Sequence, residues 1–153
     1  MWPSHPHFPV GEAAMKPEQP HARDVTIPSD LNEAHQLQCE IEAALAAAAF
    51  GERDVFAVRL AVEEALVNAI KHGNKLDPDK RVHVRYAVTQ ERFDVFISDE
   101  GPGFNPENVP DPTAPENLER PCGRGLLLMR HYMTEVEYSD SGRAVQMCKI
   151  CRS

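Results

Sequence analysis

The chain has 153 residues, with 16 Lys plus Arg against 24 Asp plus Glu for a formal net charge of −8, and it is 42% hydrophobic and 26% charged. That length predicts one globular domain and no second enzyme domain. The acidic balance supplies no global field for a phosphate backbone, so direct nucleic-acid binding is not expected, and no run approaches the roughly 20 apolar residues of a membrane span.

The opening residues lack a basic stretch followed by an apolar run, so no secretory signal is expected. With four dispersed cysteines (Cys39, Cys122, Cys148, Cys151), this predicts a cytoplasmic protein with reduced thiols. Residues 1–23 hold five of the 13 prolines. Such a segment neither propagates a helix nor pairs as a central strand, which predicts a flexible tail ahead of a single domain over 24–153.

From Asp24 the pattern changes. Val25 and Ile27 alternate as on a short strand, and Pro28 and Ser29 introduce a helix with Ser29 as its cap. Leu31, Ala34, Ile41, Leu45 and Ala48 share one helical face, and Gly51 is the expected stop. A second helix is predicted over 53–72, with Val58, Val62, Ala65 and Ala69 on one side and Phe56, Leu60 and Val67 on another, hence buried around most of its circumference. Asn74, Asp77 and Pro78 read as turn residues. The period then drops to two over 82–88 and 93–98, an antiparallel pair joined by a short link. Residues 105–122 carry five more prolines and almost no periodic apolar signal, as in a lid or binding loop. A helix over 125–132 and strands over 135–139 and 143–150, joined by a turn at 140–142, complete the chain. This order predicts an α+β two-layer sandwich with helices on one face of a mixed, mostly antiparallel sheet. Cys148 and Cys151 form a CxxC, but their spacing puts them on opposite faces of a strand, which favours ordinary thiols over a metal or redox site.

Three clusters carry chemistry. Glu64, Asn68 and His72 recur every four residues on an otherwise apolar helix. Such a stripe either satisfies itself or holds a ligand. An amide oxygen such as that of Asn68 suits Mg²⁺, and a carboxylate one turn away can deprotonate a hydroxyl. Asp99-Glu100-Gly101-Pro102-Gly103 follows a strand, with a carboxylate suited to the exocyclic amine of adenine and glycines that let a ligand approach the backbone. Gly123-Arg124-Gly125-Leu126 opens a helix, where free N–H groups and the dipole favour phosphate.

Together and in this order, "EEALVNAIKHGN", "DEGPGF" and "GRGLLLMR" resemble the N, G1 and G2 boxes of the GHKL ATPase superfamily with its Bergerat fold. The resemblance is strongest to the bacterial anti-sigma factor serine/threonine kinases, and "VEYSDSGRAVQMCK" is similar to their closing hairpin. It implies Glu64 as general base, Asn68 as Mg²⁺ ligand, Asp99 as the adenine acceptor, and Gly101 and Gly103 as walls of the base pocket. It further implies Gly123, Arg124, Gly125 and Leu126 against the phosphates of ATP, residues 105–122 as the ATP lid, and Lys71, His72 and Arg120 as phosphate neighbours. The implied function is an ATP-dependent protein kinase that phosphorylates an anti-anti-sigma STAS-domain protein and sequesters a sigma factor, with a homodimer as the family's expectation. The alternative is a nucleotide-binding anti-sigma module without kinase turnover. One departure stands out: many members place Thr directly after the hairpin glycine, whereas Arg143 and Ala144 follow Gly142 here.

Overall fold

The computed structural model describes residues 21–102 and 121–151, apart from the side chains of 121–125; the expected tail up to residue 20 and the expected lid up to residue 120 lie outside the described residues, while the lid's last two positions, 121 and 122, open a helix. Five strands form one sheet in the order β1-β2-β3-β5-β4. They are β1 (His21–Pro28), β2 (Arg81–Val88), β3 (Arg92–Ser98), β4 (Glu135–Ser139) and β5 (Ala144–Ile150). Every described pairing is antiparallel, so the expected mixture with parallel strands is absent among the described residues. Helices α1 (Leu31–Ala47), α2 (Glu52–Val67) and α3 (Pro121–Tyr132) complete the α+β architecture.

Register explains why one sheet face is the core. Val25 pairs with Val84, Val84 with Ile97, Ile97 with Val145 and Val145 with Tyr138, so one apolar row crosses all five strands. Against that face pack Ile41 and Leu45 of α1, Val58, Val62 and Leu66 of α2, and Met129 of α3. Alternation along each strand sends the other residues outward. There Arg92 forks onto Asp94 at 2.8 and 2.9 Å. Cys148 is also on that face, its thiol pushed up to about 11 by burial and the neighbouring Asp94 charge. Cys39, Cys148 and Cys151 are free, and no cluster of three or more metal-ligating side chains occurs among the described residues. None of the described helices is long and apolar enough to cross a membrane.

Several local expectations change. Strand β1 starts at His21, three residues inside the expected tail, because pairing with Tyr86, Ala87 and Val88 extends it. Asp30 caps α1 by accepting from the Asn32 N–H at 2.7 Å, while Ser29 Oγ instead donates to the Lys80 carbonyl at 2.7 Å. Gly51 does not stop α1. The reversal falls on Ala49, at φ 67°, with the Phe50 N–H returning to the Leu45 carbonyl, and Gly51 is the extended residue that starts α2. Helix α2 buries a single stripe rather than most of its circumference, with Phe56 51% exposed. At Val67 the α-helix ends and a π-helical turn, Asn68–Gly73, takes over, closed by the Asn74 N–H on the Ala69 carbonyl at 2.8 Å. Wide turns of this kind are rare and occur preferentially where function requires them.

Asn74 is completely buried and is far more than a turn residue. Its amide donates to Ser29 Oγ (3.0 Å) and the Arg81 carbonyl (2.9 Å), and its oxygen accepts from the Glu100 N–H (2.8 Å). The residue thereby joins the start of α1, the start of β2 and the end of β3. Replacing Asn74 by Ala strands buried partners of these bonds and is expected to cost about 3 kcal/mol. Urea unfolding measures it as a lower midpoint with an unchanged m-value.

Candidate functional site

Three segments meet at one end of the sheet, beside the π-helical turn. Strand β3 ends at Ser98 opposite Ala144 of β5, so the next residue, Asp99, falls beside Arg143; its N–H donates to the Arg143 carbonyl at 2.9 Å. The π-helical turn supplies the facing wall. Between them lies a cleft of about 650 Å³ including its open mouth. Asn68 and His72 line it from the turn, Asp99 and Pro102 from the loop after β3, and Tyr138, Gly142 and Arg143 from the closing hairpin, over a floor that includes Ile97 and Val145.

Glycine is required at two contacts here. A Cβ on Gly101 would stand 2.0 Å from the Gly73 carbonyl oxygen, and one on Gly73 would stand 2.5 Å from the Asp99 carboxylate. The absence of both side chains lets the loop after β3 press against the end of the π-helical turn. Gly101 also donates its N–H to Asp99 Oδ1 at 2.8 Å, which fixes the carboxylate at the cleft wall. Burial pushes the Asp99 pKa up, against the opposing pull of the Gly101 N–H and the Arg143 charge.

Asn68 sits one helical turn beyond Glu64, with its backbone N–H on the Glu64 carbonyl. The Glu64 carboxyl is held above its ordinary range by burial, opposed by Asn68 and reinforced by the Glu63 charge. Asn68 Oδ1 is buried with no hydrogen-bond partner among the described residues. A buried amide oxygen with its lone pairs unspent is costly unless a ligand takes it, and it fits a hard divalent cation. His72 at the rim has its pKa lowered by partial burial and by Lys71.

The expected stripe is thus only partly brought to the cleft: Asn68 and His72 line it, whereas Glu64 is not among its described lining residues. Asp99 lines the cleft with Asn68, and Gly101 reaches it through its N–H on Asp99 without being among the described lining residues. Gly103 and Arg120 lie outside the described residues. Gly123, Arg124 and Gly125 belong to α3, which begins at Pro121 and so starts four residues before the expected Gly125, with proline in the first-turn position it tolerates best. Leu126 is buried and is not among the described residues lining the cleft. Sequence reasoning missed the latching role of Asn74 and the contacts of Arg143. The Arg143 Nε donates to the Gly101 carbonyl at 2.7 Å, and Nη1 to the Asp140 carbonyl at 3.2 Å. The arginine in place of threonine was the available signal.

Sheet order and cleft together define a histidine kinase-like ATPase domain, and residues 27–149 match the family profile of that description. The chain is 33% identical over 104 residues to the serine-protein kinase RsbW of Bacillus licheniformis, covering 63% of this chain and 65% of that protein. It is 32% identical over 109 residues to the serine-protein kinase RsbW of Listeria monocytogenes serotype 4a, covering 67% and 69% respectively. The chain therefore belongs to the histidine kinase-like ATPase family, on the branch of the RsbW serine-protein kinases. Its match to the Bacillus licheniformis relative spans just under two thirds of that protein. The fold is also that of the crystal structure of the RsbU and RsbW domains of Rv1364c from Mycobacterium tuberculosis, at a TM-score of 0.59 and 14% identity, covering 87% of this chain and 33% of that one. Membership in an ATPase family implies ATP as the nucleotide used.

Proposed function

We propose that the chain is an Mg²⁺-dependent serine/threonine protein kinase that uses ATP to phosphorylate an anti-anti-sigma STAS-domain protein, and that it sequesters a sigma factor as an anti-sigma regulatory factor. The observation that carries this reading is Asn68 at the cleft, whose buried amide oxygen has no hydrogen-bond partner among the described residues, one helical turn from a Glu64 carboxyl that burial raises above its ordinary range. Mg²⁺–ATP, when bound, supplies the transferable phosphoryl group and neutralises charge as it moves.

The chain's own residues divide the remaining work. Asp99, its Oδ1 held by the Gly101 N–H, offers its other oxygen to the exocyclic amine of adenine. Asn68 offers Oδ1 to the cation. Glu64 accepts the proton of the substrate hydroxyl as that oxygen attacks, and its raised pKa brings it closer to the range in which general bases work well at neutral pH. His72, at the rim, is suited to a phosphate oxygen. On the same reading Gly103 serves the base pocket, Arg120 is a phosphate neighbour, and Gly123, Arg124 and Gly125 at the start of α3 serve the phosphates.

Incubation with γ-labelled ATP, Mg²⁺ and a STAS-domain protein from the same genome tests the proposal. Label is expected on a Ser or Thr of the STAS protein and on nothing when Mg²⁺ is chelated. Nucleotide binding with neither label transfer nor ADP formation would leave only a nucleotide-gated binding module.

A further inference from the structure

The residue that departs from the family pattern makes the most specific contacts in the cleft. Arg143 follows the closing turn, in which Asp140, Ser141 and Gly142 all have positive φ. Its backbone is tied on both sides, its carbonyl accepting from the Asp99 N–H at 2.9 Å and its own N–H donating to the Asp140 carbonyl at 3.0 Å. From there the side chain crosses to the opposite loop, where Nε reaches the Gly101 carbonyl at 2.7 Å. Gly101 in turn donates to Asp99 Oδ1 at 2.8 Å. Two hydrogen bonds that share Gly101, one on its carbonyl and one from its N–H, therefore link the guanidinium to the carboxylate through that residue. A threonine at 143 ends too near the backbone to span it.

We propose that Arg143 is the positioning residue of the base pocket: its guanidinium latches the closing turn to the loop after β3, and through Gly101 it holds the Asp99 carboxylate ready for the amine of an adenine nucleotide. The inference rests on the proposed nucleotide reading and adds to it which residue prepares the pocket. Pre-setting the loop removes ordering cost from the binding event, so the latch acts on affinity before any chemistry. The guanidinium serves twice, since its charge also favours the ionised form of Asp99 against the upward push of burial.

The test compares ADP with the same nucleotide lacking the exocyclic amine, purine riboside diphosphate, by calorimetry on the wild type, Arg143→Met and Arg143→Lys. Methionine keeps much of the length and apolar bulk but no donor, while lysine keeps a charge and a donor. Arg143→Met is expected to weaken ADP about tenfold and to leave the amine-free nucleotide unchanged, with Arg143→Lys recovering part of the loss. Combining Arg143→Met with Asp99→Asn should add nothing further, because both remove the same contact. Equal loss for both nucleotides, or additive losses, would make Arg143 a general structural prop and overturn the proposal. ADP binding to Arg143→Met as tightly as to wild type would do the same while leaving the nucleotide reading intact. No ADP binding by the wild type would remove that reading and this proposal together.

Discussion

Replacement of Glu64 by Gln is expected to lower phosphoryl transfer to a STAS-domain substrate by about 10²–10⁴-fold, the usual contribution of a positioned general base. Gln keeps the shape of the side chain, so nucleotide affinity should stay as it was. Stability should move the other way. Burial raises the Glu64 pKa, so the folded protein holds this proton more tightly than the unfolded chain. Its contribution to stability is therefore lost as pH rises from the ordinary glutamate value through the raised one, and at neutral pH the ionised side chain is a net cost to the fold. Removing the charge should raise Tm at neutral pH while removing activity. A fall in both would make Glu64 a structural residue and refute its role as base. The same shift places the acid limb of kcat/KM above the ordinary glutamate range, which a pH–rate profile reads directly.

Asp99→Asn is the second large effect. With one carboxylate oxygen held by the Gly101 N–H, the substituted side chain presents its NH₂ to the base, so two donors face each other where a charged acceptor met an amine. Hydrogen bonds to charged groups contribute about 1.5–3 kcal/mol, which makes the expected loss of ADP affinity about 10–100-fold by calorimetry. Unchanged affinity would remove adenine from this pocket. Since burial raises the Asp99 pKa, wild-type affinity should weaken on acidification at a higher pH than an exposed aspartate would require. Below that pH the acceptor is protonated and the variant and wild type should converge.

Both predictions fall on residues that were visible in the sequence, and the reason is local. Asp99 follows an alternating strand and precedes a glycine pair, while Glu64 and Asn68 are one helical turn apart. What spacing alone misjudged is their depth. Asn68 keeps the regular helical bond to the Glu64 carbonyl and the wide turn follows it, so the change of period falls between Asn68 and His72, and among the described residues these two line the cleft while Glu64 does not. Residue spacing alone does not encode that change of period. The misplaced caps have a similar origin. Ser29 is a good N-cap type, but Asn74 and the Lys80 carbonyl engage its hydroxyl and leave the cap to Asp30.

Periodicity, turn chemistry and motif order therefore determined the element sequence, the α+β class and the clusters that hold the candidate site, because each depends on residues close together in the chain. Only the tertiary structure decided that the end of β3 and the start of β5 lie side by side, that Asn74 ties three elements together, and that Arg143 reaches across to Gly101. The side-chain hydrogen bonds among those contacts join positions as far as 45 residues apart. Their partners are chosen by sheet order and register, which emerge only when the apolar faces of helices and strands are buried together.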